Sequence, residues 1–182
     1  MGLNVARFGY RACRGIQSRL RNIWYRSLGV NLRGYVWMRG VSIPQNWDQI
    51  TIEGTAALDD GVVLLCSGPS KPDKLVISAG TYVNRNTMFD ASESIIVGAG
   101  CLIGPSCYIT DHDHGSNPDQ AIAEQPLVAQ PVRIGNNVWI GAGTIILKGI
   151  EIGDAAVIGA GSVVTKSIPA GSKVVGVPAR VL

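Results

Sequence analysis

From residue 128 onward a single period governs this chain: VAQPVR, IGNNVW, IGAGTI, ILKGIE, IGDAAV, IGAGSV, VTKSIP. Every sixth residue is aliphatic (Val128, Ile134, Ile140, Ile146, Ile152, Ile158, Val164), and a glycine often follows it. Four places after each stands a small or branched residue: Val132, Val138, Thr144, Ile150, Ala156, Ser162, Ile168. The same phase runs through ISAGTY, VNRNTM and FDASES, slips by two residues, and resumes in VGAGCL, IGPSCY and ITDHDH. A fainter copy begins at Ile52. Such a period fits neither the helical repeat of about 3.6 nor the simple alternation of a hairpin strand. It suits short strands joined by tight turns and coiled so that the aliphatic side chains stack inside. Three units make one three-sided coil, and successive coils stack at about 4.8 Å. The expectation is an all-β solenoid over residues 50–182, preceded by a capping segment over residues 1–49.

Two segments break the period. GPSKPDK, residues 68–74, reads as a turn or short excursion. DHGSNPDQAIAEQPL, about residues 113–127, reads as an ejected loop, and loops of that length in compact folds tend to carry function.

Charge divides the chain. Residues 1–40 hold eight arginines and no acid, whereas the remainder has eight basic and thirteen acidic residues. That asymmetry points to an anionic partner for the head. Residues 3–29 form a predicted amphipathic helix with Cys13, Ile16, Leu20, Ile23, Trp24 and Leu28 on one stripe. Its simplest role is to cap the open first coil. The sharper alternative adds contact with an anionic membrane surface or a lipid-linked substrate. An apolar content of 46% excludes disorder, and no apolar run approaches the ~20 residues of a membrane span. No secretory signal pattern is present, so the expected compartment is the cytosol, with the helix at the inner face of the membrane in the sharper reading. The four cysteines lack CxxC spacing, and Cys101 and Cys107 fall at the small inward position, where thiols pack as small hydrophobes.

Both histidines stand in ITDHDHGS, where the repeat stops. A metal, a general base with an orienting partner, and a polar loop all suit that composition. Asp111 and Asp113 could orient or charge-stabilise an imidazolium, but a carboxylate next in sequence seldom points at its neighbour; a backbone carbonyl or another carboxylate is the alternative partner, and a turn-forming role would suffice for both.

The segment NNVWIGAGTIILKGIEIGDAAVIGAGSVVTKSIPAGSKVVGVPAR resembles the hexapeptide-repeat acyltransferases, and is similar to the galactoside and maltose O-acetyltransferases and to those acting on lipopolysaccharide or capsule sugars. The resemblance covers roughly residues 50–182. It implies a left-handed parallel β-helix, a homotrimer, and an acetyl-CoA site in the groove between adjacent subunits. It implies His112 as general base, removing the proton of a sugar hydroxyl as it attacks the thioester in a ternary complex. His114 is expected in the loop, off the direction of His112, with no assigned task. Asn84 matches an acceptor-binding position, and Asp90 is a weaker one, with Ser92 as the alternative. Trp139, Gly141 and Ala142 match the place of the thioester, with the Ala142 N–H facing the developing oxyanion. Ala160 matches a pantetheine contact, and Thr165, Lys166 and Arg180 the nucleotide end. Only two residues follow Arg180 where the sugar acetyltransferases carry a helix and a second phosphate-binding cation, so fewer phosphate contacts are expected.

The expected activity is therefore acetyl transfer from acetyl-CoA to a sugar hydroxyl in surface polysaccharide or lipopolysaccharide assembly. The alternative is N-acetylation of an amino-sugar. A metal enzyme built on the same fold needs three histidines, and this chain has two, so no metal is expected. A non-catalytic scaffold explains the repeat but not a histidine at the ejected loop, and no stacking-aromatic motif accompanies the arginines as nucleic-acid binding would require.

Overall fold

The computed structural model describes residues 2–182, with side chains from Ala12 onward. One helix, α1 (Gly2–Leu28), precedes a left-handed parallel β-helix. The inward positions of the repeat are buried as the period requires, from Ile52, Leu58 and Leu64 through Ile77, Val83 and Phe89 to Ile146, Ile152, Ile158 and Val164. Strands only two to four residues long stack in register on three faces. The first face carries Asn31–Arg33, Ile50–Glu53, Leu75–Ile77, Ile95–Val97, Val132–Ile134 and Glu151–Ile152. The second runs from Trp37–Met38 through Tyr82–Val83, Leu102–Ile103 and Trp139–Ile140 to Lys173–Val175, and ends on the antiparallel strand Arg180–Val181. The third stacks Val63–Cys66, Met88–Ala91, Tyr108–Thr110, Ile145–Ile146 and Val163–Val164. Parallel pairing already begins at Asn31, earlier than the faint sequence trace at Ile52. The first coil keeps the phase only in part, with Leu32 and Met38 buried six residues apart and Val36 four after Leu32.

The recurring glycine after each aliphatic residue has a steric cause. At Gly98, Gly135 and Gly153, stacked at one corner, an added Cβ would lie 2.5, 2.3 and 2.4 Å from atoms of the next coil. Gly104 and Gly141 repeat the arrangement at another corner, with the backbone N of Ala142 and Ala160 at 2.6 and 2.4 Å. At these positions a side chain would strike the next coil, whereas Ser78 and Asn84, lower in the stack at the same two corners, carry theirs with the ladder intact. Cys101 and Cys107 lie inside as expected; burial pushes both thiols up, and each Sγ contacts backbone carbonyls.

Helix α1 caps the first coil. Backbone groups on the outer edge of that coil are met by polar side chains. Ser18 Oγ accepts the Met38 N–H at 2.9 Å, and Asn22 accepts the Val36 N–H at 3.1 Å while donating to the Val36 carbonyl at 2.7 Å. Tyr25 Oη donates to the Val41 carbonyl at 2.8 Å, and Arg26 donates to the carbonyls of Leu32 and Gly34. Ser18, Asn22 and Tyr25 are buried, whereas Ile16, Leu20, Ile23 and Trp24 are each 58–64% exposed. Of the stripe, Leu28 packs against the core, while these four side chains face away from the solenoid. An open strand edge demands hydrogen-bond partners, which apolar side chains lack.

The expected loop is shorter than its sequence boundaries. His112–His114 and Leu127–Ala129 pair antiparallel into a ribbon, so Val128 sits on the ribbon and is 47% exposed rather than starting the stack. Between the two strands lies a turn of 3-10 helix, Ile122–Glu124.

Replacing Gly98 with alanine forces a methyl to within 2.5 Å of the Gly135 carbonyl oxygen. We expect a loss of about 2 kcal/mol or more, as overpacked sites show, measured as a lower urea midpoint with an unchanged slope.

Candidate active site

The ladder breaks where the third face gives way to the first. Ile109 completes the buried row, Thr110 and Asp111 turn the corner, and His112 opens the ribbon. Asp111 is fully buried, and its carboxylate is enclosed by backbone donors from the coil below: Ser92 N–H at 2.7 Å on Oδ1, Glu93 and Ser94 N–H at 2.8 and 2.6 Å on Oδ2. Its Oδ1 also lies 3.0 Å from His112 Nδ1. Of the alternatives for the two aspartates, Asp111 therefore takes the orienting one, although it is the neighbour in sequence. It can do so because the chain bends at this corner and because the turn at residues 92–94 fixes the carboxylate from beneath. A carboxylate with such donors accepts only, so Nδ1 carries the proton and Nε2 presents its lone pair. Among the described residues no hydrogen bond occupies Nε2, and the His112 side chain is 11% exposed.

Asp113 points to the opposite side of the ribbon and pairs with Lys148 Nζ at 2.8 Å, tying the ribbon to the next coil. Lys148 carried no sequence signal. His114 is exposed on the ribbon strand itself, and residues two apart on a strand share a face, so it lies on the same side as His112 rather than off its direction. Leu127 and Ala129, paired with His114 and His112, share that side too.

Leu127 and Ala129 also line a cavity of about 640 Å³ between the 68–74 excursion and the base of the ejected loop, with Pro69, Lys71, Lys74 and Glu93. Lys74 is buried, which pushes its ammonium below the usual range, and it pins the excursion by donating to the carbonyls of Ser67 and Pro69. The sequence break at 68–74 thus forms one wall of a cavity at the foot of the ribbon, bounded there by Ala129, the strand partner of His112.

The remaining candidates fall into separate groups. Asp90 stands next to Thr110 in the third-face ladder; it accepts from Tyr108 Oη at 3.0 Å and so lies near His112. Thr165 and Lys166 lie exposed farther along the corner that holds His112, and Lys166 and Arg180 border one hollow of about 190 Å³. Asn84, Gly141, Ala142 and Ala160 lie at the corner between the second and third faces. Asn84 Oδ1 accepts the Arg85 N–H at 2.8 Å, a turn contact, which leaves the amide nitrogen without a partner among the described residues. Gly141 has its own packing reason in the closeness of Ala160. Ala142 is exposed, and among the described residues nothing accepts its N–H. Trp139 stands 57% exposed on the second face, between Leu102 and Val157. Within one chain the third face separates Trp139, Ala142 and Asn84 from His112. Among the described residues no three His, Cys, Asp or Glu side chains cluster as metal ligands would.

Residues 131–166 match a family profile described as bacterial transferase hexapeptide (six repeats). Nodulation protein L of Rhizobium meliloti (strain 1021) is 42% identical over 156 residues, covering 84% of this chain and 83% of its own length. A relative assigned as the lipopolysaccharide biosynthesis O-acetyl transferase WbbJ of Escherichia coli (strain K12) is 34% identical over 116 residues, 59% of each chain. Among solved structures, the hexapeptide-repeat-containing acetyltransferase VCA0836 of Vibrio cholerae, complexed with acetyl coenzyme A, superposes with a TM-score of 0.58 at 30% identity, over 65% of this chain and 63% of its own. With its six-residue period, its three-faced parallel stack and relatives alike over most of its length, the chain belongs to the hexapeptide-repeat transferase family and is an acyltransferase.

Proposed function

We propose that this acyltransferase moves the acetyl group of acetyl-CoA to a sugar hydroxyl of a surface polysaccharide or lipopolysaccharide precursor, with His112 as general base. The observation that carries the reading is the Asp111–His112 pair: a buried carboxylate fixes Nδ1 and leaves Nε2 free to take a proton. In the reaction the hydroxyl oxygen bonds to the thioester carbonyl carbon as its proton passes to Nε2. The tetrahedral intermediate then collapses, breaking the C–S bond, and the imidazolium returns the proton to the departing thiolate. No acyl-enzyme is needed. The Ala142 N–H, free of an internal acceptor, suits the oxyanion, which needs a donor rather than a particular side chain.

Asn84 and Asp90 are assigned to the acceptor, and the cavity beside the ribbon gives it room. Trp139, Gly141, Ala142, Ala160, Thr165, Lys166 and Arg180 are assigned to acetyl-CoA, with the two cations on its phosphates. Because one chain keeps His112 apart from Trp139 and Ala142, a groove between copies, as in a homotrimer, is the arrangement that joins them. The enzyme works in the cytoplasm, at the inner face of the membrane where lipid-linked glycans are built. No described helix is long and apolar enough to cross a membrane.

His112→Ala should lower kcat by at least about 100-fold, the usual contribution of a general base, with the oligomer and thermal stability intact; near-normal turnover would rule out the assignment. Asp111→Asn should cost about 2 kcal/mol of stability, because three N–H donors lose a charged acceptor. It should also cut kcat about 100-fold, because the amide no longer fixes the tautomer. Paired Lys166→Ala and Arg180→Ala should raise the KM for acetyl-CoA about tenfold while leaving kcat within about threefold. A panel of hydroxyl and amino-sugar acceptors tests the nature of the acceptor; faster transfer to nitrogen would select the N-acetyl alternative.

A further inference from the structure

The way α1 caps the solenoid has a functional consequence. Its polar side chains Ser18, Asn22 and Tyr25 lie on the open edge of the first coil, so its opposite face points away from the stack, along the solenoid axis. That outward face carries Ile16, Leu20, Ile23 and Trp24, all more than half exposed and contiguous at helical spacing. Around it the helix is basic: Arg19, beside the stripe, stacks on Tyr35, Arg26 reaches back to the Leu32 and Gly34 carbonyls, and Arg14 and Arg21 stand on the solenoid side near Asp60. No acid occurs anywhere in residues 1–40.

We propose that this outward face of α1 docks the enzyme on an anionic lipid bilayer, with the helix lying in the plane of the interface. The chemistry selects that occupant. Four adjacent exposed apolar side chains favour a hydrocarbon environment, while the excess of eight arginines over no acid at this end of the chain favours an anionic one. A phosphate-bearing bilayer supplies both along one plane. The tryptophan suits the interfacial layer, with an apolar body and a single N–H donor. The stripe is also placed for it: at the end of the solenoid, it stays clear of neighbours packed along the three faces, and several copies on one axis would present their helices to the same plane.

The orientation follows. The helix lies flat and the coils rise from the membrane, and His112 opens after the fourth coil of the stack. With about 4.8 Å per coil and about 10 Å for the helix, the histidine stands roughly 25 Å above the surface. That is the height of a sugar well removed from its lipid anchor, not of one attached to the phosphate. This last step rests on the sugar-acceptor reading, whereas the docking surface does not.

The test uses the full chain and vesicles of phosphatidylcholine, alone or with about one-third phosphatidylglycerol, a composition that adds surface charge. We expect cosedimentation with the anionic vesicles, little with the neutral ones, and weaker binding at high salt. Leu20→Glu combined with Ile23→Glu should weaken binding at least about tenfold, and the milder Trp24→Ser should weaken it less. All three positions are exposed, so circular dichroism and the mass in lipid-free solution should match the parent. Failure of the parent to bind anionic vesicles, or equal binding by the double variant, overturns the proposal. So does a lower oligomeric mass of the double variant without lipid, which would make the stripe a contact between copies. Acetyl transfer to a water-soluble acceptor, measured on the same variants, should persist; its absence from the parent as well would count against the catalytic reading and leave the vesicle result standing.

Discussion

Each coil of this protein is held to the next by parallel backbone hydrogen bonds, and from the fourth coil onward that ladder leaves no room for side chains at two of its corners. Gly98, Gly135 and Gly153 at one corner, and Gly104 and Gly141 at another, sit where a single methyl would strike the neighbouring coil. Close stacking in turn commits the inward rows to aliphatic side chains from Ile52 to Val164, since nothing polar on the inner face could find a partner except at the turns. The faces are then nearly featureless. Chemistry has room only on outward side chains, at corners, and where the coil is interrupted.

The interruption at Asp111 uses this rigidity. Three consecutive N–H groups of the turn at residues 92–94 converge on one carboxylate, and that carboxylate holds a histidine ring. The stacked coil below thus serves as the support that fixes the base. Lys148, from the coil above, holds the other side of the ribbon through Asp113. The base is braced by its neighbours on both sides along the axis, while Nε2 has no hydrogen bond among the described residues.

The capping helix obeys the same backbone logic. A solenoid end is an open strand edge with unpaired N–H and C=O groups, and the helix meets them with serine, asparagine, tyrosine and arginine. That choice leaves Ile16, Leu20, Ile23 and Trp24 exposed and makes the end of the molecule a surface of its own.

The six-residue period alone was sufficient for the coil, its inward residues and the place where the loop departs, because each follows from side-chain spacing along one strand path. The buried state of Cys101 and Cys107 was legible for the same reason. The role of Asp111 was not, since it depends on N–H groups some twenty residues earlier, brought beneath it only by stacking. Nor were Lys148 and Lys74 visible, because one acts across coils and the other by folding back on its own excursion. The stripe of α1 was plain in the sequence, but its direction was decided by which groups the first coil left unbonded. Spacing determines which side chains share a face; only the folded chain determines what that face meets, because partners distant in sequence are set by how the coils pack.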